Sequence, residues 1–185
     1  MTILYLVRHG ETDWNVEGRS QGQADPPLNA RGVAQSGELV EALRGERLDA
    51  LCSSPLERAA ATARILSQAL RIPFTTDDRF MEIHQGDWQT RLRAEIESLY
   101  PDEFRLWEQR PWETRPPGGE TLEQVRDRVY AGADDLVARY PGRRVGLVTH
   151  HIPIFLLKVR YQGLDPDIIR TLHLPNVYWE AVPVP

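Results

Sequence analysis

Residues 2–12 read Thr-Ile-Leu-Tyr-Leu-Val-Arg-His-Gly-Glu-Thr, an apolar run from Thr2 to Val7 that breaks into charge and glycine at Arg8. A short apolar run without polar alternation is the pattern of a strand buried on both faces, as in a parallel sheet. From His9 to Asn29 the chain is polar and glycine-containing, about 20 residues with little regular pattern, and a loop that long inside a compact chain usually carries function. The rest of the chain has to supply the partners that bury this strand.

It does so by alternation. Asn29 predicts the cap of a helix running to about Arg44, with Val33, Gly37 and Val40 along one face and Gly45 at its end. Leu48–Cys52 reads as a second strand. Ser54-Pro55-Leu56-Glu57 has the form of a helix start, with a capping serine, proline at the first helical position and glutamate three residues after the serine. Leu56, Ala59, Ala63, Leu66 and Leu70 then give a buried stripe. Ile72–Thr76 is a third strand, Phe80–Trp88 a loop with a tight turn at Gly86, and Thr90–Tyr100 and Asp102–Gln109 are short helices. Pro111, Pro116, Pro117, Gly118 and Gly119 break regular structure. Thr121 caps the best-patterned helix, with Leu122, Val125, Val129, Ala133, Leu136 and Tyr140 at three- and four-residue spacing, and Pro141-Gly142 stops it. Arg144–Thr149 is another buried-type strand, Ile152–Tyr161 a short apolar helix, and Thr171–Leu174 with Val177–Val182 reads as a terminal hairpin or pair of strands. The expected fold is a three-layer α/β/α sandwich with a mainly parallel central sheet. Residues 1–185 form one domain, and residues 89–119 make a short helical lid insertion over one edge.

Composition bounds the chemistry. The 185 residues are 41% hydrophobic and 26% charged, an ordinary globular balance, and 27 acidic against 22 basic residues leave a formal net charge of -5. That balance argues against a broad nucleic-acid surface, which needs concentrated phosphate-neutralising charge. Lys158 is the only lysine, so the basic groups are almost all arginine forks. Cys52 is alone, which excludes an intrachain disulfide and a cysteine metal cluster. The apolar start is too short for a secretory signal, and no stretch is long enough to span a bilayer, so a cytoplasmic protein without a membrane role is expected. The five histidines lack zinc-ligand spacing and Asp77-Asp78 lacks the rest of a calcium loop, so no metal or cofactor is expected.

Two strands end in similar chemistry, Arg8-His9-Gly10 and Thr149-His150-His151, and ligands of open α/β sheets bind at the carboxyl ends of strands. The second strand ends at Ser53-Ser54-Pro55, with Arg58 one turn into the following helix. Arg8, His9, Arg58 and His150 can therefore converge near helix amino termini, whose free N–H groups favour an anion. That convergence suggests phosphate.

The string Arg8-His9-Gly10-Glu11-Thr12, followed by Trp14, Asn15, Arg19, Gln21-Gly22, Leu28 and Gly32, resembles the signature of the histidine phosphatase superfamily. That group includes the cofactor-dependent phosphoglycerate mutases, and the likeness is closer to its small bacterial phosphatases. The resemblance continues through Ser53-Ser54-Pro55-Leu56, Arg58-Ala59, Thr62-Ala63, Glu82, Gly86, Trp88, Pro117-Gly118-Gly119-Glu120 and Val148-Thr149-His150. It implies His9 as nucleophile, attacking phosphorus to form a phosphohistidine that water resolves. The other ring nitrogen, bonded to backbone such as Gly10, would then fix the tautomer. By the same resemblance Arg8 and Arg58 clamp phosphoryl oxygens, His150 adds a donor, and Glu82 is the general acid and then base. Asn15, Gln21 and the backbone of Gly22 complete the phosphate pocket.

Other residues carry a plainer reading. Glu11 and Thr12 hold the loop, His173 is structural and Cys52 is a buried small residue. His84, Trp88, Trp107 and Trp112 either pack the insertion or face the organic part of a substrate. His151 stands where many family members have glycine, so it narrows the rim of the pocket, donates to substrate or turns outward, and Pro27 replaces an acidic residue common in the mutases. Only 37 residues separate Glu82 from Glu120, a short excursion beside that of the dimeric mutases. The expected activity is a metal-independent phosphomonoester phosphatase acting on small phosphorylated metabolites. A phosphoglycerate mutase and a non-catalytic phosphate-binding or regulatory protein are the alternatives. Sugar phosphates, phosphoglycerates, ribazole phosphate and phosphoproteins stay open as substrates, and the chain is expected to be a monomer or homodimer.

Overall fold

The strand quoted above lies second from one edge of a five-stranded sheet. The computed structural model describes residues 1–185. Strands β1 (Thr2–Arg8), β2 (Ala50–Ser53), β3 (Phe74–Thr76), β4 (Arg144–Thr149) and β5 (Trp179–Val184) form the order β3-β2-β4-β1-β5. All pairings are parallel except β1 with β5, which is antiparallel.

Side chains of β1 divide between the two faces, as strand geometry requires. Leu4 and Leu6 enter one core with Leu122, Val125, Val129, Val145, Leu147, Ile154 and Phe155. Tyr5 and Val7 enter the other with Leu39, Leu43, Leu51, Ala59, Ala63 and Leu66. Helices α6 (Leu122–Arg139) and α7 (His151–Gln162) thus cover one face, and α2 (Ala30–Leu43) and α3 (Glu57–Leu70) the other. Each such buried leucine contributes roughly 1.5–3 kcal/mol, so the continuous pattern of β1 anchors both layers. The three-layer sandwich is the expected one, and no helix is long and apolar enough to cross a membrane.

Several local expectations are corrected. The loop after β1 contains a five-residue helix, α1 (Asp13–Glu17), closed by a reciprocal capping box between Thr12 and Asn15. Helix α2 does start after Asn29, whose side chain accepts from Gly32 N at 2.8 Å, but its buried face is Gly32, Ser36, Leu39, Val40 and Leu43. Val33 is 51% exposed. The helix is turned because it packs backbone to backbone on the loop: a Cβ on Gly32 would lie 2.1 Å from the Glu11 carbonyl oxygen. Helix α3 begins at Glu57, not at Pro55; the Ser54 hydroxyl accepts from Leu56 N at 3.3 Å and also meets His150. No terminal hairpin forms. Pro166–Arg170 is a short 3-10 turn, and only Trp179–Val184 pairs as a strand.

The insertion forms a small core with Trp88, the residue just before it, through Ile96 and Phe104, with Tyr100 and Trp107 against it. It consists of α4 (Arg93–Leu99) and α5 (Pro101–Gln109) and is stitched to the loop after β1. Ser20 N donates to Arg91 O and Thr90 N to Ser20 O, both at 2.8 Å, and Gln23 N donates to the Gln89 side chain at 2.7 Å. These bonds make it a wall fixed to the loop.

Candidate active site

Register places the two strand-end histidines side by side. Arg8 lies opposite Thr149 in the β1–β4 pairing, and the rings of His9 and His150 follow with centroids 5.2 Å apart. Both are buried, at 3% and 0% exposure. His9 Nδ1 is 2.7 Å from the Gly10 carbonyl oxygen. A carbonyl can only accept, so Nδ1 carries the proton and Nε2 keeps its lone pair. Burial, and then the positive charges of Arg58 and Arg8, hold the His9 pKa well below the usual histidine range. The result is a neutral imidazole with one free basic nitrogen.

Around it stand polar atoms that have no partner in the protein. Arg58 is 1% exposed and donates through Nη1 to Ala24 O at 2.8 Å and through Nη2 to Gly22 O at 2.7 Å, so it anchors the loop with two arms. Its Nε is buried and unpaired, as is Nε of Arg8, whose Nη1 donates to Leu174 O. Neither guanidinium forms an ion pair within the chain. Burial lowers both their pKa values, that of Arg58 to about 10. His150 Nε2 meets the Ser54 hydroxyl at 2.8 Å, and its Nδ1 is unpaired. Burial and then Arg58 hold its pKa well below normal. The side-chain oxygen of Gln21 is also orphaned, and turning the amide over would present its NH2 instead. An unsatisfied buried group costs about 1–3 kcal/mol. A cluster of them beside two unpaired cations fits a ligand that brings several anionic oxygens.

Glu82 closes the site from another side. It is the carboxyl at the amino end of α7: Oε1 accepts from Ile83 N at 2.9 Å and Ile152 N at 3.3 Å, and Oε2 from His151 N at 3.1 Å. Burial raises its pKa; the Ile83 N–H, Arg58, Arg8 and Arg128 oppose that rise without cancelling it. A carboxyl so placed holds a proton above the ordinary carboxylate range and can still accept one when ionised.

Arg8, His9, Gln21, Gly22, Arg58 and Glu82 line the inner side of one cavity of about 310 Å³, and the buried His150 ring lies beside that of His9. The outer wall of the cavity comes from Trp88 and from the insertion, through Arg93, Ile96, Phe104, Trp107 and Glu108, with Arg19, Ser20 and Gln85 at the rim. Arg93 pairs with Glu108 at 2.9 Å and its guanidinium lies 4.8 Å from the Phe104 ring centroid. Sequence reasoning had not singled out Arg93, Ile96, Phe104 or Glu108. Their spacing carried a signal: Arg93 and Ile96 are three apart on α4, and Phe104, Trp107 and Glu108 are three and four apart on α5, so each set shares one helical face.

Five residues named from the sequence stand outside the lining. One is His150, buried beside His9 with its Nε2 on the Ser54 hydroxyl. Asn15 Oδ1 accepts from Thr12 N at 3.1 Å and Asn176 Nδ2 at 3.2 Å, which spends it on holding the loop. His84 Nδ1 accepts from Gly86 N at 3.2 Å. Trp112 donates to Pro166 O at 3.2 Å and its ring packs on Phe155. His151 opens α7, with its backbone on Glu82 and its ring largely buried; burial, then Arg8 and His173, lower its pKa to about 4. No group of three His, Cys, Asp or Glu side chains is placed to hold a metal ion.

The chain resembles known proteins over nearly its whole length. A family model of the histidine phosphatase superfamily (branch 1) matches residues 4–183. Phosphoserine phosphatase 1 of Hydrogenobacter thermophilus is 36% identical over 165 residues, 89% of this chain and 78% of the relative. A probable phosphoglycerate mutase, GpmB, of Salmonella choleraesuis is 37% identical over 180 residues, 95% of this chain and 82% of the relative. Among solved structures, Bacillus stearothermophilus YhfR superposes with a TM-score of 0.93 at 33% identity, covering 100% of this chain and 92% of that one.

Proposed function

We propose, for a chain that belongs to the histidine phosphatase superfamily (branch 1), that it is a phosphatase of small phosphorylated metabolites working through phospho-His9 without a metal. The observation that carries this reading is the His9 tautomer: Nδ1–H is tied to Gly10 O, which leaves Nε2 as a nucleophile beside two guanidinium groups that lack anionic partners.

The steps follow from the placement. A phosphoryl group enters with its oxygens toward Arg8, Arg58, Gln21 and His150. The Nε2 lone pair attacks phosphorus, the phosphorus–oxygen ester bond breaks, and the leaving oxygen takes the proton from Glu82. Charge that spreads over the phosphoryl oxygens meets preorganised donors in a buried site, where such contacts are strongest. Glu82, now a carboxylate, takes a proton from water as that water attacks phosphorus. The phosphorus–nitrogen bond breaks, and neutral imidazole and inorganic phosphate remain. Arg58 also holds Gly22 O and Ala24 O, so the residue that binds the phosphoryl group also fixes the loop around it.

The outer wall supports a substrate whose carbon portion has an apolar face, able to lie against Trp88, Phe104 and Trp107, with polar groups that exchange into the Arg93–Glu108 pair. The relatives carry a phosphatase name and a mutase name at nearly equal identity, so the choice between hydrolysis and transfer rests on the site. The insertion is short, with 37 residues between Glu82 and Glu120, which favours hydrolysis. Purified protein is incubated with a panel of phosphomonoesters and with 3-phosphoglycerate, with and without a chelator. Free phosphate that persists with chelator and vanishes in His9→Ala is the expected result. Isomerised phosphoglycerate with little phosphate would establish transfer instead, and loss of activity with chelator would overturn the metal-free mechanism.

A further inference from the structure

The segment that carries Glu82 leaves β3, turns through Asp78–Phe80 and reaches the site without a sheet partner. Its carbonyls from Arg79 to Glu82 are nonetheless all satisfied, and every donor is a side chain. Thr149 Oγ1 donates to Phe80 O at 2.6 Å and Gln23 Nε2 to Glu82 O at 3.1 Å. Arg128, two turns into α6, takes the rest. Its Nη1 donates to Arg79 O at 2.8 Å and Met81 O at 2.6 Å, and its Nη2 to Glu82 O at 2.9 Å. Nε and Nη2 bind the two oxygens of Glu120, each at 2.9 Å, and Glu120 accepts from His84 N at 2.8 Å. A guanidinium has five N–H donors, and these five contacts use all of them.

We propose that Arg128 is the positioning residue of the acid: it suspends the Glu82 backbone so that the carboxyl meets the leaving oxygen. The proposal rests on the reading of Glu82 as general acid. The groups that face the carboxyl are Arg8 from β1, Arg58 from α3, the first N–H groups of α7, the neutral imidazoles of His9 and His150, and Arg128 from α6 with its Glu120 counter-charge. Burial raises the proton affinity of Glu82 and Arg128 is one of the cations that restrain the rise. Without that charge the carboxyl stays protonated to higher pH. Without the fork it is free to shift, and a displacement of about 1 Å can cost on the order of 100-fold in rate. Lysine keeps the charge but offers three donors and no plane.

Arg128→Met and Arg128→Lys are assayed across pH on two esters: p-nitrophenyl phosphate, whose leaving group departs without a proton, and a simple alkyl phosphate, whose leaving group needs one. In Arg128→Met, kcat/KM for the alkyl ester is expected to fall on the order of 100-fold and for the aryl ester less than about tenfold. The basic limb of the profile should move to higher pH. Arg128→Lys should return the limb toward its original pH while recovering only part of the alkyl rate. Equal losses on both esters, or an unmoved basic limb, would overturn the assignment. If Arg128→Met does not fold, Arg128→Lys decides alone, since a merely structural role predicts equal losses on the two esters. Glu82→Gln is measured alongside. Equal losses there would remove Glu82 as the acid, whereas discrimination in Glu82→Gln without discrimination at Arg128 would overturn only the role of Arg128.

Discussion

Arg58→Met separates binding from stability, because burying this side chain's charge carries a cost of its own. Arg58 is 1% exposed, and burial lowers its pKa from the ordinary guanidinium range to about 10. At about 1.4 kcal/mol per tenfold change in proton affinity, that fall corresponds to a cost of about 3 kcal/mol for keeping the charge buried. Since the folded-state value of this base is depressed, the cost is fully present below about pH 10 and fades only as pH rises toward the ordinary guanidinium range. Methionine removes the charge and also the two bonds to Gly22 O and Ala24 O, which contribute roughly 1 kcal/mol or somewhat more each. The terms nearly cancel, so at pH 7 the variant should unfold within about 2 kcal/mol of the parent. Inorganic phosphate at a hundredfold excess over its Kd stabilises a protein by about 2.7 kcal/mol, and in a chain of this size each kcal/mol moves Tm by roughly 2–4 °C. Phosphate should therefore raise the parent Tm by roughly 5–10 °C and leave that of Arg58→Met nearly still, while kcat/KM falls on the order of 100- to 1000-fold. Calorimetry with and without phosphate reads both numbers. A variant that melts far below the parent yet keeps the full phosphate shift would refute the assignment of Arg58 to the ligand.

Glu82→Gln should lower alkyl ester turnover by roughly 100- to 10,000-fold and activated aryl esters much less. Because burial raises the Glu82 pKa, the parent kcat/KM should decline on a basic limb above the ordinary carboxyl range, and that limb should disappear in the glutamine variant; its persistence would assign the limb to another group. Gly86→Ala places a Cβ 1.9 Å from the Pro117 carbonyl oxygen at a φ of +49°, and should cost roughly 2–5 kcal/mol in urea unfolding from left-handed strain and overpacking together. Stability unchanged within error would contradict that close approach. Trp107→Ala removes part of the outer wall and should lower kcat/KM for aryl phosphates roughly 2- to 10-fold while inhibition by inorganic phosphate stays constant; a parallel loss of phosphate affinity would place Trp107 in the phosphate site.

The fold was legible where one physical cause set the pattern. Thr2–Val7 and Arg144–Thr149 are buried on both faces, so their apolar runs read directly as strands; that they are neighbours, with Arg8 opposite Thr149, is added by the structure. The stripe of α6 was equally direct, from Leu122 to Leu136. Reading failed where apolar character had another source. Leu174 is 2% exposed because it docks on the core beside the site while its carbonyl receives Arg8, not because it belongs to a strand. Val177 takes a φ of +53°, which no strand continues through. Val33 was placed inward by spacing, but α2 approaches its neighbours through Gly32 and Ser36, small residues that hydropathy does not weigh. In the site, Arg8, His9, Arg58, His150 and Glu82 do come together, from two strand ends, a helix and a loop. The outer wall was hidden because it depends on how α4 and α5 turn over the cavity, which is fixed by the Ser20–Arg91 and Thr90–Ser20 bonds between segments about 70 residues apart.

The central claim is that His9 carries the phosphoryl group through its Nε2. Glu82→Gln protein, in which attack by water should be slowed, is mixed with a radiolabelled aryl phosphate, quenched in alkali and digested after arginine. Cleavage after Arg8 and Arg19 isolates residues 9–19, with His9 as the sole histidine. The account predicts label on that peptide, stable to alkali, lost in mild acid and absent from His9→Ala. Turnover without label on residues 9–19, or label on another peptide, would contradict it.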